Sequence, residues 1–133
     1  MKVCVIQPHY SFAEGEKRIH EMKLDPAPFV LMKGGQKRVE LRLWDEKRRK
    51  IRPGDTVLFT NTATGEILET QVVKLHLFEN FEELYRSLPL LHCGYTPETV
   101  AHATPTHMKR YYSAAQQRKY GVVGIEFSPS ERR

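Results

Sequence analysis

The segment from Lys33 to Arg52, KGGQKRVELRLWDEKRRKIR, is the part of the chain that most restricts the fold. It has nine Lys or Arg residues against three acidic ones, an excess of +6, whereas the whole 133-residue chain has a net charge of only +5. The remaining residues therefore sum to a slightly negative charge. Positive charge confined to one segment indicates a local surface for an anionic partner rather than a generally basic protein.

A β-strand is predicted within this segment, at residues 38–44. Its apolar residues fall at every second position: Val39, Leu41 and Leu43. The charged and aromatic residues fall between them: Arg38, Glu40, Arg42 and Trp44. This period of two predicts a strand with one face in a core and the other face charged.

Lys37 can join Glu40 and Arg42 in one site, although it has the parity of the apolar face. It lies at the entrance of the strand, where the chain is still turning after Gly34 and Gly35. We therefore expect Lys37, Glu40 and Arg42 to share one rim. The alternative interpretation is an amphipathic edge strand whose neighbouring Arg and Glu side chains only screen each other.

Length and composition limit the class of protein. A chain of 133 residues with 40% hydrophobic and 28% charged residues is typical of one soluble globular domain. Its apolar runs are shorter than the roughly 20 residues needed to span a bilayer, so we expect no membrane association. Two cysteines, Cys4 and Cys93, do not make a disulfide framework, which favours the reducing cytoplasm. The oligomeric state is left open.

Further elements are predicted on both sides of this segment. Strands are predicted at residues 2–6, 56–60, 67–78 and 122–127. In the long strand Val73, Leu75 and Leu77 are expected on one face, alternating with Lys74, His76 and Phe78. Asp25-Pro26 predicts the start of a short helix, Asn80 caps another, and residues 90–120 read as a succession of short helices.

The order of these elements predicts an α+β fold: a small curled β-barrel with short flanking helices. We expect residues 1–20 to be an N-terminal extension and residues 21–133 to be the domain itself. Such an extension would be dispensable for folding.

Three motifs together resemble the ASCH domain family. Gly35, Lys37, Glu40 and Arg42 match its G-x-K-x-x-E-x-R pattern, and Lys50-Ile51-Arg52-Pro53-Gly54-Asp55 resembles the basic turn that follows it. The closing YGVVGIE, residues 120–126, resembles the last strand of the family. The resemblance covers about residues 22–127. It implies a PUA-like β-barrel whose cleft has the lysine, glutamate and arginine on its wall.

The resemblance implies a domain that binds RNA or a modified nucleoside without a cofactor. The residue types fit this function, because Lys and Arg neutralise phosphates and aromatic rings stack on unpaired bases. The candidate binding residues are Lys37, Arg38, Glu40, Arg42, Trp44, Lys47, Arg48, Arg49, Lys50 and Tyr120. A solvated turn is the other interpretation of the four adjacent cations at 47–50.

Catalysis is the competing hypothesis. Small ASCH proteins hydrolyse the amide of acetylated cytidine with the motif lysine, a threonine three residues later and a distant glutamate. This chain has Lys37, but Glu40 replaces the threonine, and the distant glutamate falls near Cys93 and Gly94. A variant hydrolase or ribonuclease would use Glu40 as the general base and Lys37 to stabilise an oxyanion.

The remaining polar clusters predict less. The spacing of His92, Cys93, His102 and His107 matches no standard zinc site, so no metal is expected. Tyrosines alternate with cations near residues 109–120, a pattern that indicates either a second nucleic-acid surface or helix packing on the sheet.

Overall fold

The computed structural model describes residues 4–5 and 17–129. Its strands are β1 (Cys4–Val5), β2 (Ile19–Leu24), β3 (Val39–Leu43), β4 (Thr56–Asn61), β5 (Ile67–Phe78) and β6 (Val122–Pro129). Its α-helices are α1 (Pro26–Lys33), α2 (Phe81–Ser87) and α3 (Ala114–Tyr120). Short 3₁₀ helices lie at Arg48–Lys50, Leu90–His92, Val100–His102 and Pro105–Arg110. The predicted α+β class is confirmed.

The strands form one curled sheet in the order β2-β4-β5-β6-β3, and β1 pairs with the far end of β5. The β2–β4 pair is parallel and the other pairs are antiparallel. The guanidinium of Arg42 on β3 donates a 3.0 Å hydrogen bond to the carbonyl of Lys23 on β2. The two end strands of the sheet therefore approach each other, which gives the half-barrel shape that the sequence predicted.

Strand β2 was missed by the sequence analysis. It is six residues long, and only Met22 and Leu24 are buried. The alternation of apolar and polar residues is therefore short, because the strand ends before Asp25-Pro26. The predicted boundary between residues 20 and 21 falls inside this strand. The assignment of residues 1–20 as an extension stays a prediction.

The predicted alternation along β5 is correct from Lys74 to Phe78 and wrong at Val73, because a β-bulge interrupts the strand there. The register shifts between Val72 and Lys74, which places one extra residue on this strand. Val72 and Leu75 are consequently both buried, whereas Val73 between them is 43% exposed. The bulge also bends the long strand, which helps the sheet to curl.

The starts of α2 and α3 follow the predicted capping chemistry, whereas the side chain of Asp25 makes no capping hydrogen bond to α1. The side chain of Asn80 accepts a 2.9 Å hydrogen bond from the backbone of Glu83, and Ser113 forms a capping box with Gln116. Helix α1 begins at Pro26 after Asp25, and Gly35, with φ of +90°, turns the chain from α1 toward β3. The short helices at 90–120 are confirmed, mostly as 3₁₀ turns.

Two apolar clusters pack against the opposite faces of the sheet. The inner cluster fills the half-barrel, and its β6 members are Val123, Ile125 and Phe127. The outer cluster joins the sheet to α2 and the short helices, and it includes Val39, Leu41 and Leu43 of β3. The apolar face of β3 therefore packs outward onto the helices.

The charged face of β3 is not solvent-exposed, contrary to the simple amphipathic-edge interpretation. Glu40 pairs with Ile125 and Arg42 pairs with Val123, and directly paired residues of antiparallel strands point to the same side of the sheet. Glu40 and Arg42 thus lie on the inner face of the half-barrel, beside its open seam. This position explains why a charged pair in an end strand is buried.

Asp55, the last residue of the basic turn motif, has a structural role. Its carboxylate accepts hydrogen bonds from the backbone N–H groups of Arg18 and Arg52 and bonds to His20 Nε2 at 2.8 Å. The side chain is buried, so these partners replace the lost water. Asp55 therefore fixes the start of β2 against the turn before β4.

Candidate nucleotide-binding cleft

The ammonium group of Lys37 is buried and has three partners. It donates to the carbonyls of Val39 at 2.9 Å and Cys93 at 3.0 Å, and its third partner is Glu40 Oε1 at 3.1 Å. Lys37 is only 6% exposed. A lysine ammonium has three donors, so each proton of this group has an acceptor. As predicted, Lys37 reaches Glu40 from the entrance of the strand.

Glu40 links two cations through its two carboxylate oxygens. Oε1 faces Lys37, and Oε2 accepts a 2.7 Å hydrogen bond from Arg42 Nε. Burial alone would raise the pKa of this carboxyl, but the adjacent charges of Lys37 and Arg42 outweigh it and hold the pKa below its usual value. Glu40 is therefore ionised at neutral pH, and both of its oxygens are occupied.

Arg42 is held on two sides but keeps one nitrogen for a ligand. Nε donates to Glu40 and one terminal nitrogen, Nη2, donates to the Lys23 carbonyl. Burial disfavours the charged guanidinium, yet Glu40 more than compensates and raises the pKa of Arg42. No hydrogen bond between described residues uses Nη1. The guanidinium is thus fixed in place with one edge available.

The loop at residues 92–94 holds the other side of Lys37. The carbonyl of His92 accepts a 2.7 Å hydrogen bond from the backbone of Arg38, and the Cys93 carbonyl accepts from Lys37. Gly94 has φ of +116°, and a Cβ at this position would lie 3.4 Å from Lys37 Nζ. A glycine is therefore favoured here by backbone conformation and by contact with the lysine.

These side chains line a cleft of about 630 Å³ at the seam between β2 and β3. This volume is in the range of small-molecule binding sites. The motif residues lie on one side of the cleft. The other side comes from α2 and the loops before α3. Its aromatic rings and its one thioether belong to Tyr85, Tyr95, His107, Met108, Tyr111 and Tyr112. Charged and aromatic groups therefore face the same space.

A chain of hydrogen bonds fixes part of the aromatic wall. The hydroxyls of Tyr85 and Tyr95 lie 2.8 Å apart, and the Tyr95 hydroxyl lies 2.8 Å from His107 Nδ1. Tyr112 stacks on Phe81 with ring centroids 5.9 Å apart. Tyr111 is 62% exposed, so its ring is open to a ligand. The wall thus combines fixed tyrosines with one accessible ring.

Comparison with known proteins identifies the family of this chain. The ASCH domain profile matches residues 22–131. The chain belongs to the ASCH domain family. The fold of this ASCH domain is PUA-like, as the sequence predicted.

Two solved structures resemble this ASCH domain over nearly their whole length. The crystal structure of hypothetical protein PH0355 has a TM-score of 0.69 and 31% identity, covering 84% of this chain and 98% of that chain. The solution structure of protein PF0455 from Pyrococcus furiosus has a TM-score of 0.65 and 31% identity, covering 86% and 99%. No curated protein matches the chain significantly.

Trp44 and Tyr120 lie outside the cleft, at a second depression of about 1000 Å³. Arg49 joins them, because it donates to the carbonyls of both residues, at 2.6 and 3.0 Å. Its guanidinium also lies over the Trp44 ring, 5.6 Å from the centroid. Lys119 lies 5.1 Å from the centroid of the Tyr120 ring. This larger depression lacks the motif residues, so the smaller cleft is the better candidate site.

The basic turn of the ASCH domain divides into fixed and free cations. Arg48 pairs with Asp45 at 3.2 Å, and Arg49 is held by Trp44 and Tyr120. Lys47 and Lys50 are exposed. Arg38 is also exposed and lies outside the cleft, where Nε donates to the Gly35 carbonyl.

The described residues offer no obvious metal site and no membrane span. Among them, no group of three or more His, Cys, Asp or Glu side chains is placed to hold a metal ion. No helix within residues 17–129 is long and apolar enough to cross a membrane.

Sequence reasoning found the charged side of the cleft and treated the aromatic side as separate. Lys37, Glu40 and Arg42 are brought together as expected. For Tyr111 and Tyr112 the sequence indicated either a second surface or helix packing. It assigned Tyr85 to the apolar stripe of its helix and gave no binding role to Tyr85 or Tyr95. A tyrosine-rich stretch beside Arg110 was the available signal, but nothing local indicated that it faces β3.

Proposed function

We propose that this ASCH domain binds RNA or a nucleoside-containing ligand in the cleft of Lys37, Glu40 and Arg42. The observation that supports this most is the fixed guanidinium of Arg42, whose Nη1 is unused beside a wall of tyrosines. Arginine binds phosphate or a base edge, and tyrosine stacks on an unpaired base. A nucleotide unit presents both kinds of group.

RNA is favoured over a lone nucleoside because candidate residues continue beyond the cleft. Trp44 and Tyr120 lie at the second depression, and Lys47 and Lys50 are exposed on the basic turn, whose Arg49 contacts both of these aromatic residues. A single nucleoside in the cleft would not extend to them. A single strand several nucleotides long would reach these aromatic rings and cations as well as the cleft.

Two pKa shifts favour binding over hydrolysis, whether the hydrolysis would use Glu40 as general base or Cys93 as nucleophile. The lowered pKa of Glu40 makes it a weak base, and its oxygens already face Lys37 and Arg42. Burial raises the pKa of the Cys93 thiol to about 11, so it is protonated at neutral pH and a poor nucleophile. We therefore assign Glu40 and Lys37 to positioning Arg42 and the loop at 92–94.

The test is a binding and turnover screen with a matched pair of variants. Purified protein is titrated into fluorescently labelled RNA octamers and into N4-acetylcytidine, and each mixture is analysed for products. We expect RNA binding without product formation, and a loss of about tenfold or more in RNA affinity for Arg42→Gln. Arg38→Gln, an equal change of charge outside the cleft, should have a much smaller effect.

Two results would contradict the proposal. One is the absence of binding to any octamer or to the acetylated nucleoside. The other is an Arg42→Gln protein that binds RNA as tightly as the wild type. Product formation that Glu40→Gln abolishes without weakening ligand binding would instead establish the hydrolase hypothesis.

A further inference from the structure

The mouth of the cleft combines three cations from separate parts of the chain. Lys23 is on β2, Arg42 is on β3, and Arg110 ends the 3₁₀ helix that precedes the exposed Tyr111. Lys23 and Arg110 are exposed, and neither forms an ion pair with another described residue. These charges are separated in sequence, so the fold alone assembles them.

The charge balance of the cleft favours an anion. Four lining residues are cationic, and two are acidic: Asp25 and Glu40. Glu40 is occupied by Lys37 and Arg42, and the Asp25 carboxylate accepts a 3.0 Å hydrogen bond from the Thr62 hydroxyl. Lys23, Arg110 and the open edge of Arg42 are therefore the groups left to bind a charged ligand.

Arg42 supplies the fixed part of such an anion site. Its side chain is 15% exposed and is held by Glu40 and by the Lys23 carbonyl, so little conformational entropy is lost when Nη1 donates to a ligand. The Lys23 and Arg110 side chains are long and exposed, which suits them to close around a phosphate. The adjacent Tyr111 ring, 62% exposed, would stack on the base.

We propose that the mouth of the cleft is a phosphate site, formed by Lys23, Arg42 and Arg110, which selects phosphorylated nucleotides over neutral nucleosides. This inference rests on the proposed function and specifies its ligand class. The phosphate is either the terminal group of a free nucleotide or a phosphodiester of a single strand, because both present anionic oxygens to arginine and lysine. The base occupies the tyrosine side of the cleft.

The experiment compares ligands that differ only in their phosphate. The four ribonucleosides, their 5′-monophosphates and dinucleotides with one internal phosphodiester are each titrated by calorimetry and used to displace a labelled RNA octamer. We expect the monophosphate, the dinucleotide or both to bind at least about tenfold more tightly than the nucleoside, since charge-assisted hydrogen bonds are the stronger ones. The two phosphate-bearing arms identify which form of phosphate the site accepts.

A pair of double variants locates the effect. Lys23→Gln with Arg110→Gln should reduce the affinity ratio of nucleotide to nucleoside toward one and leave nucleoside affinity unchanged. Lys74→Gln with Arg86→Gln removes the same charge at exposed positions outside the cleft and the basic turn, and should leave the ratio unchanged. Thermal unfolding of both proteins checks that each is folded, as expected for exposed side chains.

The outcomes separate this inference from the proposed function. Equal affinity for nucleosides and both phosphate-bearing ligands would overturn the phosphate site while the cleft remained a nucleoside site. If both double variants lowered the ratio of nucleotide to nucleoside affinity equally, the phosphate site would also be overturned, because the effect would then come from overall charge. Failure of nucleosides, nucleotides and the octamer alike to bind would overturn the proposed function itself.

Discussion

Two neighbouring regions of this chain have similar residues and different physical roles. The ionic cluster of Lys37, Glu40 and Arg42 is buried at the seam of the half-barrel, and its members are held by one another and by backbone carbonyls. In the basic turn at residues 47–50, three of the four cations are exposed and Arg48 is half-buried. There, Arg48 and Arg49 are tied to the protein, whereas Lys47 and Lys50 extend into solvent.

The difference teaches that burial, not the number of charges, decides what a cation can contribute. Exposed ion pairs contribute little to stability because water and salt screen them. A buried charge that loses its partner is costly, since neither water nor another group replaces it. We therefore expect stability effects in the cluster and salt-dependent binding effects in the turn.

The largest expected effect is that of Glu40→Gln on stability. This change leaves the cations of Lys37 and Arg42 buried without their common carboxylate, which we expect to cost about 3–5 kcal/mol of unfolding free energy. Asp45→Asn, just before the basic turn, removes the carboxylate partner of Arg48. Because Arg48 is 16% and Asp45 23% exposed, we expect a smaller loss of about 1–2 kcal/mol. Urea denaturation of the three proteins measures both values. Equal losses would remove the proposed contrast between the regions.

Acid pH should sharpen the same contrast. The folded pKa of Glu40 is lower than the usual 4.5, so its stabilising contribution is complete above that pH and is lost as pH falls through the folded value. Below about pH 4.5 the wild type should therefore lose stability more steeply than Glu40→Gln. Unfolding free energies measured between pH 7 and pH 3 test this. Parallel curves would mean that the folded pKa of Glu40 is not lowered.

Gly94→Ala should have a smaller effect that combines backbone strain with contact to Lys37. The positive φ alone should cost about 1–3 kcal/mol. Gly65→Ala is the control, because Gly65 has φ of +78° and open space where the added methyl group would lie. We expect only Gly94→Ala to weaken RNA binding as well, because strain in this loop moves the Cys93 carbonyl that holds Lys37. Melting temperatures and binding titrations distinguish the two proteins.

The smallest stability effect is expected in the basic turn. Replacing all four residues at 47–50 with glutamine should weaken RNA binding and flatten its salt dependence if they contact phosphates. Replacing only Lys47 and Lys50 with glutamine should flatten the salt dependence of RNA binding without changing the free energy of unfolding. Replacing only Arg48 and Arg49 with glutamine should also lower the free energy of unfolding, by about 1 kcal/mol. An unchanged slope for the fourfold variant would assign this turn to solvent.

Much of the fold could be predicted because its signals are local. The alternation around Val39, the capping residue Asn80 and the glycine turn before β3 each specify an element through nearby residues. Strand β2 and the change of parity at Val73 in β5 could not be predicted in this way. The first has a short signal, and the second depends on a bulge whose position is set by pairing between strands.

The sequence by itself determined which three residues form the ionic cluster, because Lys37, Glu40 and Arg42 lie within six residues and one strand positions them. The tertiary structure decided that this cluster is buried and what faces it. Curling of the sheet turns Glu40 and Arg42 inward. Helix α2 places Tyr85 across the cleft, and the segment between α2 and α3 places Tyr95 and Arg110 there. Those contacts span long separations along the chain, so no local pattern of residues specifies them.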